Sequence, residues 1–97
     1  MKTKELSPEI VKNLNIELRD ITVDDSFQKY VWFYEFIDFP GVILTNLQIG
    51  KYVLHSIITL YYRNETSYRS ILVSEMVLKD KEYLYSLIKS RILIPDT

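Results

Sequence analysis

The sequence contains no alanine, the residue with the highest intrinsic helix propensity. Ile, Leu, Val, Tyr, Phe and Trp together fill almost half of the 97 positions. Because β-branched and aromatic side chains fit the pleated, half-buried surface of a sheet, this composition favours strands over helices. We therefore expect strand to exceed helix, and a helical bundle is disfavoured.

Five segments carry the aromatic or alternating pattern of β-strands, and turn residues separate most of them. The first follows Leu14, where Leu18 and Ile21 would also continue a helical spacing, and we favour a strand with an irregularity near Asp20. The others cover residues 30–37, 42 to just before Gly50, 51–62 and 68–78. Pro40-Gly41 is typical of a type II turn, and residues 64–67 form a polar turn between the last two strands.

Two helices flank these strands. Ser7 is a typical N-cap, Pro8 suits the first helical position, and a helix over residues 8–14 follows. Asp80 is the N-cap of a second helix, which Pro95 ends and whose buried stripe is Leu84, Leu87, Ile88 and Ile92. The predicted fold is α+β, an antiparallel β-meander of about five strands with a short N-terminal helix and a C-terminal helix packed on the sheet. We expect one domain over residues 1–97.

Residue types that carry catalysis are scarce. The chain has no cysteine and one histidine, His55, so an ordinary zinc site or a nucleophilic triad has no second ligand or partner at a definable spacing. Two glycines cannot build a phosphate-binding loop. Acidic side chains could converge only through the fold, the main candidates being Asp20, Asp24, Asp25, Glu35 and Asp38. We expect no enzyme activity, no metal site and no cofactor.

The absence of cysteine makes a reducing cytosol the default compartment. Residues 1–9 alternate charged and polar side chains without the apolar stretch of a signal peptide. No apolar run approaches the ~18 residues of a membrane span. The expected location is the cytoplasm, or the host cytoplasm if the source is a virus.

Aromatic side chains exceed what a small core covers easily. The chain has eight Tyr, four Phe and one Trp, and six of these rings fall within residues 30–39. Each ring buries on the order of 150 to 250 Å², so some should lie at an interface. We expect a partner or a second copy to contact Trp32 and Tyr34, or Tyr62 and Tyr68.

A second cluster, which combines tyrosine with arginine, flanks the turn at residues 64–67. Its members are Tyr61, Tyr62, Arg63, Tyr68 and Arg69. Such residues stack on single-stranded nucleic acid, form protein-binding hot spots, or simply pair across strands. Residues 1–40 carry a net charge of -3 (five basic, eight acidic) and residues 41–97 carry +2 (seven basic, five acidic), which is far from a basic stripe.

The predicted function is therefore a non-enzymatic protein-binding module. The small size, an amino-acid composition typical of AT-rich genomes and the lack of catalytic motifs suggest a regulator or inhibitor from a phage or other mobile element. Anti-CRISPR inhibitors are one example of such proteins. Such a protein would act by covering a partner's surface. The alternative is a nucleic-acid-binding module that uses Arg63, Arg69 and the neighbouring tyrosines.

Overall fold

The computed structural model describes residues 5–50, 55–63 and 68–94. Its strands are β1 (Ile16–Asp24), β2 (Lys29–Phe36), β3 (Val42–Ile49), β4 (His55–Arg63) and β5 (Tyr68–Val73). Its helices are α1 (Pro8–Leu14), α2 (Glu75–Leu78) and α3 (Lys81–Leu87), and α3 continues into a wide π-helical turn over Ile88–Ile92. A 3-10 turn over Asp25–Phe27 joins β1 to β2.

The strands form one antiparallel sheet in the order β1-β2-β3-β4-β5, so each strand pairs with its neighbours in sequence. Short connections favour this meander, because antiparallel neighbours need only a tight turn between them. The short helix precedes the sheet and the remaining helices follow it and pack on it. The predicted α+β meander with terminal helices is confirmed.

Helix α1 begins and ends as its sequence predicts. The Ser7 hydroxyl accepts a hydrogen bond from the N–H of Ile10 at 3.2 Å, and Pro8 occupies the first turn. Asn15 ends the helix in the left-handed conformation, with φ of 54°, which asparagine tolerates better than most residues. The chain then enters β1 directly.

The irregularity predicted in β1 is a β-bulge. Leu18 pairs with Tyr34 and Asp20 pairs with Phe33, so Arg19 is left without an opposite residue. A bulge re-aims the extra side chain. The Arg19 guanidinium reaches Oε1 of Glu35 on β2 at 3.0 Å.

The predicted fourth and fifth strands differ from the observed ones. Of the predicted span 51–62, residues 51–54 lie outside the described residues, as does the predicted turn at 64–67. The fifth strand was predicted to run to residue 78, but it ends at Val73 and Ser74 caps α2 by accepting the N–H of Val77 at 3.3 Å. A serine N-cap followed by Glu75 is a helix-start signal, and it outweighs the apolar alternation here.

The C-terminal helix confirms its predicted start and three residues of its predicted stripe, whereas the fourth, Leu87, is only half-buried. The Asp80 carboxylate accepts the N–H of Tyr83 at 3.1 Å. Leu84, Ile88 and Ile92 are fully buried against the sheet. Their four-residue spacing stays on one face because the final turn is π-helical, with the N–H of Leu93 bonded to the Ile88 carbonyl at 2.8 Å.

The core lies between one face of the sheet and the helices. Its buried members from the strands are Ile16, Trp32, Tyr34, Phe36, Val42, Leu44, Ile58 and Leu60. The helices contribute Leu14, Leu78, Leu84, Ile88 and Ile92. We call this side of the sheet the helix face.

Candidate binding face of the sheet

The helices do not cover the side of the sheet opposite the helix face, and we call this side the open face. Strand alternation and cross-strand pairing assign its residues. From β1 they are Glu17, Asp20, Thr22 and Asp24; from β2, Lys29, Val31, Phe33 and Glu35; from β3, Ile43, Thr45, Leu47 and Ile49; from β4, Ile57, Thr59, Tyr61 and Arg63; from β5, Tyr68, Ser70 and Leu72. None of them is buried among the described residues.

Burial along β3 makes the contrast between the two faces clear. Val42, Leu44, Asn46 and Gln48 are buried on the helix face, whereas the residues between them are only half-buried. The middle row across the open face is Asp20, Phe33, Thr45, Thr59 and Leu72. Ile57 is 42% exposed and Leu72 is 75% exposed. The centre of the open face is therefore apolar and reachable.

Charge on the open face is divided between its two edges. Glu17 and Asp20 lie exposed on β1, one edge of the sheet, where Arg19 forms ion pairs with Glu17 at 3.4 Å and with Glu35 at 3.0 Å. Arg63 lies exposed near the opposite edge, where it pairs with Tyr68 of β5. The face therefore has a β1 edge of mixed charge, an apolar centre and a basic corner.

Glu35 braces the open face near the β2–β3 turn. One carboxylate oxygen accepts the backbone N–H of Gly41 at 2.8 Å and the other accepts Nε of Arg19 at 3.0 Å. The hydrogen bond from Gly41, followed by that from Arg19, holds the pKa of Glu35 below its ordinary value. Gly41 has φ of 87°, which a residue with a side chain adopts only with strain. Glu35 thus stabilises the turn as a charged acceptor.

Asp38 belongs to a second structural network, on the other side of that turn. The Tyr85 hydroxyl lies 2.7 Å from Oδ2 of Asp38 and 2.8 Å from the carbonyl oxygen of Leu14. The Asn15 amide donates to the same carboxylate at 3.4 Å. Hydrogen bonding from Tyr85 and then Asn15 lowers the pKa of Asp38, while burial and then Asp38 itself raise the pKa of Tyr85. The network ties α1, the β2–β3 turn and α3 together.

The remaining candidate acids also serve local structure. Asp24 accepts the N–H of Ser26 at 3.1 Å, and Asp20 accepts the N–H of Ile21 at 2.8 Å. Asp25 opens the 3-10 turn. Over residues 5–50, 55–63 and 68–94, no three Asp, Glu, His or Cys side chains come together as metal ligands would.

The placement of Trp32 and Tyr34 corrects the expectation that they form a surface. Both are 2% exposed and lie on the helix face. Burial raises the pKa of the Tyr34 hydroxyl. Both faces of this strand are apolar, so the sequence could not indicate which face the helices cover. The helices cover Trp32 and Tyr34, and Phe33 lies on the open side instead.

The Tyr and Arg cluster is split between the two faces. Tyr61 and Tyr68 stack on the open face, with ring centroids 6.0 Å apart and an interplanar angle of 29°. Tyr62 and Arg69 pair on the helix face. There Arg69 donates to the carbonyl oxygens of Ile92, at 3.4 Å, and Ile94. Of the two arginines, Arg63 is the exposed one beside the stacked tyrosines.

Sequence reasoning did not single out Ile43, Ile57 and Leu72 as surface candidates. The signal for them was present, because alternation in β4 places Ile57 and Thr59 with Tyr61 on one side. What the sequence lacked was the knowledge that the helices pack on the other side. These residues are surface candidates because of the face of the sheet on which they lie, and not because of their residue type.

The helix face also holds a cavity of about 310 Å³, near the lower limit of small-molecule sites. Its rim includes Glu5, Glu9 and Glu75, and the buried amides Asn46 and Gln48 lie at its floor. Both amides already interact with other groups. The cavity therefore presents no unsatisfied group that would indicate a ligand.

None of the helices in the described ranges is long and apolar enough to cross a membrane. Comparison of the chain with protein-family models, with curated proteins and with solved structures finds no match.

Proposed function

We propose that this protein is a non-enzymatic protein-binding module that docks its partner on the open face of the sheet. One observation carries the proposal: the face has an apolar, aromatic and β-branched centre, and none of its residues is buried within the described ranges. Apolar area covered on binding contributes about 25 cal/mol per Å² before the costs of association. Leu72 and Tyr68, 75% and 61% exposed, have the most to gain.

The dimensions of the face suit a protein partner. Strands lie about 4.8 Å apart and rise ~3.3 Å per residue, so five strands over seven residues project roughly 24 Å by 23 Å, or about 550 Å². Side chains add relief to this projection. A stable interface uses about 800 Å² from each partner, which such a face with its edges approaches. A flat surface of this size favours a macromolecular partner over a small molecule.

The nucleic-acid alternative has less support. Binding to a phosphate backbone needs several lysines or arginines on one surface. Arg69 is engaged with C-terminal carbonyl groups on the helix face, and the open face carries Glu17 and Asp20 along one edge. These carboxylates would repel phosphates along the β1 edge of the face.

The proposed mode of action is surface occlusion, since the module would act by covering part of its partner. The proposal also includes inhibition of the partner, an origin in a phage or other mobile element, and a cytoplasmic location. These three parts derive from the sequence alone. The open face bears on how the partner is recognised.

The test compares two lysine substitutions on opposite sides of the molecule. Ile57→Lys places a charge in the open face, and Met76→Lys, on α2 at a position 81% exposed, is the matched control. Each variant is immobilised and exposed to extract of the native host, after thermal unfolding has verified that both fold. Proteins held by the wild type and by M76K but not by I57K support the proposal. Equal retention on all three, or loss with M76K alone, contradicts it.

A further inference from the structure

We infer that the bulge in β1 closes this edge of the sheet to strand addition, so that no strand of another chain extends the sheet beside β1. The inference goes beyond the proposed function, because it concerns an edge of the sheet and not its open face. Three observations carry it: the register on either side of Arg19, the exposure of β1, and the contacts that hold the bulge.

Arg19 is an extra residue in a strand that is otherwise regular. Leu18 pairs with Tyr34 and Asp20 pairs with Phe33, so the register on β2 continues without a gap when Arg19 is passed over. Apolar and polar residues then also alternate along the whole of β1. The apolar residues that share the helix side of the strand are Ile16, Leu18, Ile21 and Val23. Pairing with β2 therefore does not need the extra residue.

Without the extra residue, β1 would be a regular and exposed edge strand. It is the outermost strand of the sheet order, and seven of its nine residues are exposed. Leu18, Ile21 and Val23 are 39%, 43% and 53% exposed, and residues 21–23 are all β-branched. An exposed apolar edge with high β propensity is a template on which another chain can pair.

The bulge interrupts this template near its middle. A bulge bends its strand, increases the local twist and breaks the regular spacing of main-chain groups that an added strand would need. Immediately after the bulge, Oδ1 of Asp20 accepts the N–H of Ile21 at 2.8 Å. This main-chain donor therefore already has an acceptor, and the segment around Arg19 is a poor partner for a further strand.

Two glutamates hold the bulge in its observed conformation. Nη2 of Arg19 lies 3.4 Å from Oε2 of Glu17, and Nε of Arg19 donates to Oε1 of Glu35 at 3.0 Å. Glu17 and Glu35 lie directly opposite each other on β1 and β2. Like charges in that position destabilise a strand pair. The guanidinium between them offsets the repulsion, so the ion pairs favour the bulged form of the strand.

The test opens the edge by deletion of Arg19 combined with Asp20→Thr, which removes both the bulge and the acceptor for Ile21. Arg19→Ser and Asp20→Thr alone are the matched controls, because both keep the extra residue. Sedimentation equilibrium is run in about 0.5 M NaCl, which screens repulsion between the acidic side chains of β1. The opened variant should associate at concentrations at least ~10-fold lower than the wild type and the two controls.

Amide hydrogen exchange locates the association and thermal unfolding verifies the fold. Amides of residues 16–24 should gain protection as the opened variant associates, whereas those of β5, at the other edge, should not. A deletion variant that does not fold overturns the inference, because Arg19 would then be needed for pairing with β2. An opened variant that associates no more readily than the wild type overturns it as well, as does association without protection of residues 16–24.

Discussion

Tyr61 and Tyr68 stack on the open face at 6.0 Å between ring centroids, while Tyr62 and Arg69, their chain neighbours, pair on the helix face. One hairpin therefore delivers a pair of tyrosines to one side of the sheet and a tyrosine–arginine pair to the other. This separation gives Arg63 and Arg69 different roles. Arg63 belongs to the surface, and Arg69 belongs to the packing of the C-terminal segment.

Replacing each arginine with methionine should distinguish these roles. Arg69→Met removes the hydrogen bonds to the carbonyl oxygens of Ile92 and Ile94 and should lower the free energy of unfolding by about 1 to 2 kcal/mol. Arg63→Met changes an exposed side chain and should stay within about 0.5 kcal/mol of the wild type. Urea unfolding measures both. A larger loss with Arg63→Met would show that the assignment of roles is wrong.

Trp32 is the single tryptophan, and its burial gives a direct optical test of the corrected placement. Its fluorescence should be blue-shifted and poorly quenched by iodide in the folded protein, and unfolding in urea should remove both properties. Dilution should leave the emission unchanged, because the ring lies in the core and not at the proposed interface. Strong quenching in the native protein would place the ring at the surface.

The Tyr85 hydroxyl joins α3 to Asp38 and to the end of α1. Tyr85→Phe removes this group while keeping the ring that packs edge-on against Phe39 at 4.8 Å. We expect a loss of about 1 to 2 kcal/mol in the free energy of unfolding, because two acceptors lose their shared donor. Tyr83→Phe, at an exposed position of the same helix, is the control and should be nearly neutral. Equal effects would show that the network does not stabilise the fold.

Glu35 and Asp38 should make stability fall in acid. Hydrogen bonds from Gly41 and from Tyr85, respectively, hold their pKa values below the ordinary ones in the folded protein. Groups of this kind contribute stability above the unfolded carboxyl pKa of about 4, and the contribution is lost as pH falls through the lowered folded pKa. Melting temperature should therefore drop below about pH 4.

Glu35→Gln should flatten that acid dependence, and Glu82→Gln, on the exposed side of α3, should not. Melting curves at several pH values give the comparison. An acid limb that is the same in the wild type and in E35Q would show that Glu35 does not contribute to it.

Local signals in the sequence predicted the ends of α1, the start of α3 and the bulge in β1, because caps, proline and breaks in alternation act within a few residues. The end of β5 was missed because Ser74 is both a tolerable strand residue and a strong helix cap. Which face of the sheet the helices cover was beyond local reasoning. Trp32 and Phe33 are adjacent aromatic residues, and only packing distant in sequence buries one and leaves the other half-exposed.

The candidate binding face was likewise predictable only where local alternation decides which side chains share a face. Alternation in β4 could group Ile57 with Thr59 and Tyr61, and it could separate Tyr61 from Tyr62. The positions of the charged residues on this face could not be predicted from the sequence, because they depend on strand order. Only the β1-β2-β3-β4-β5 order places Glu17 and Arg63 toward opposite sides of one face.

Chemical protection of a residue on the open face measures whether a partner binds there. The chain has no cysteine, so Ile57→Cys and Ser90→Cys each introduce a single thiol, on the open face and on the exposed side of the C-terminal turn. Alkylation rates are measured for the free protein and for the protein saturated with the partner that the wild type captures from host extract. Alkylation of the cysteine at position 57 should slow at least ~10-fold when the partner is bound, while the rate at position 90 stays constant. An unchanged rate at position 57 in the complex would show that the partner does not bind the open face.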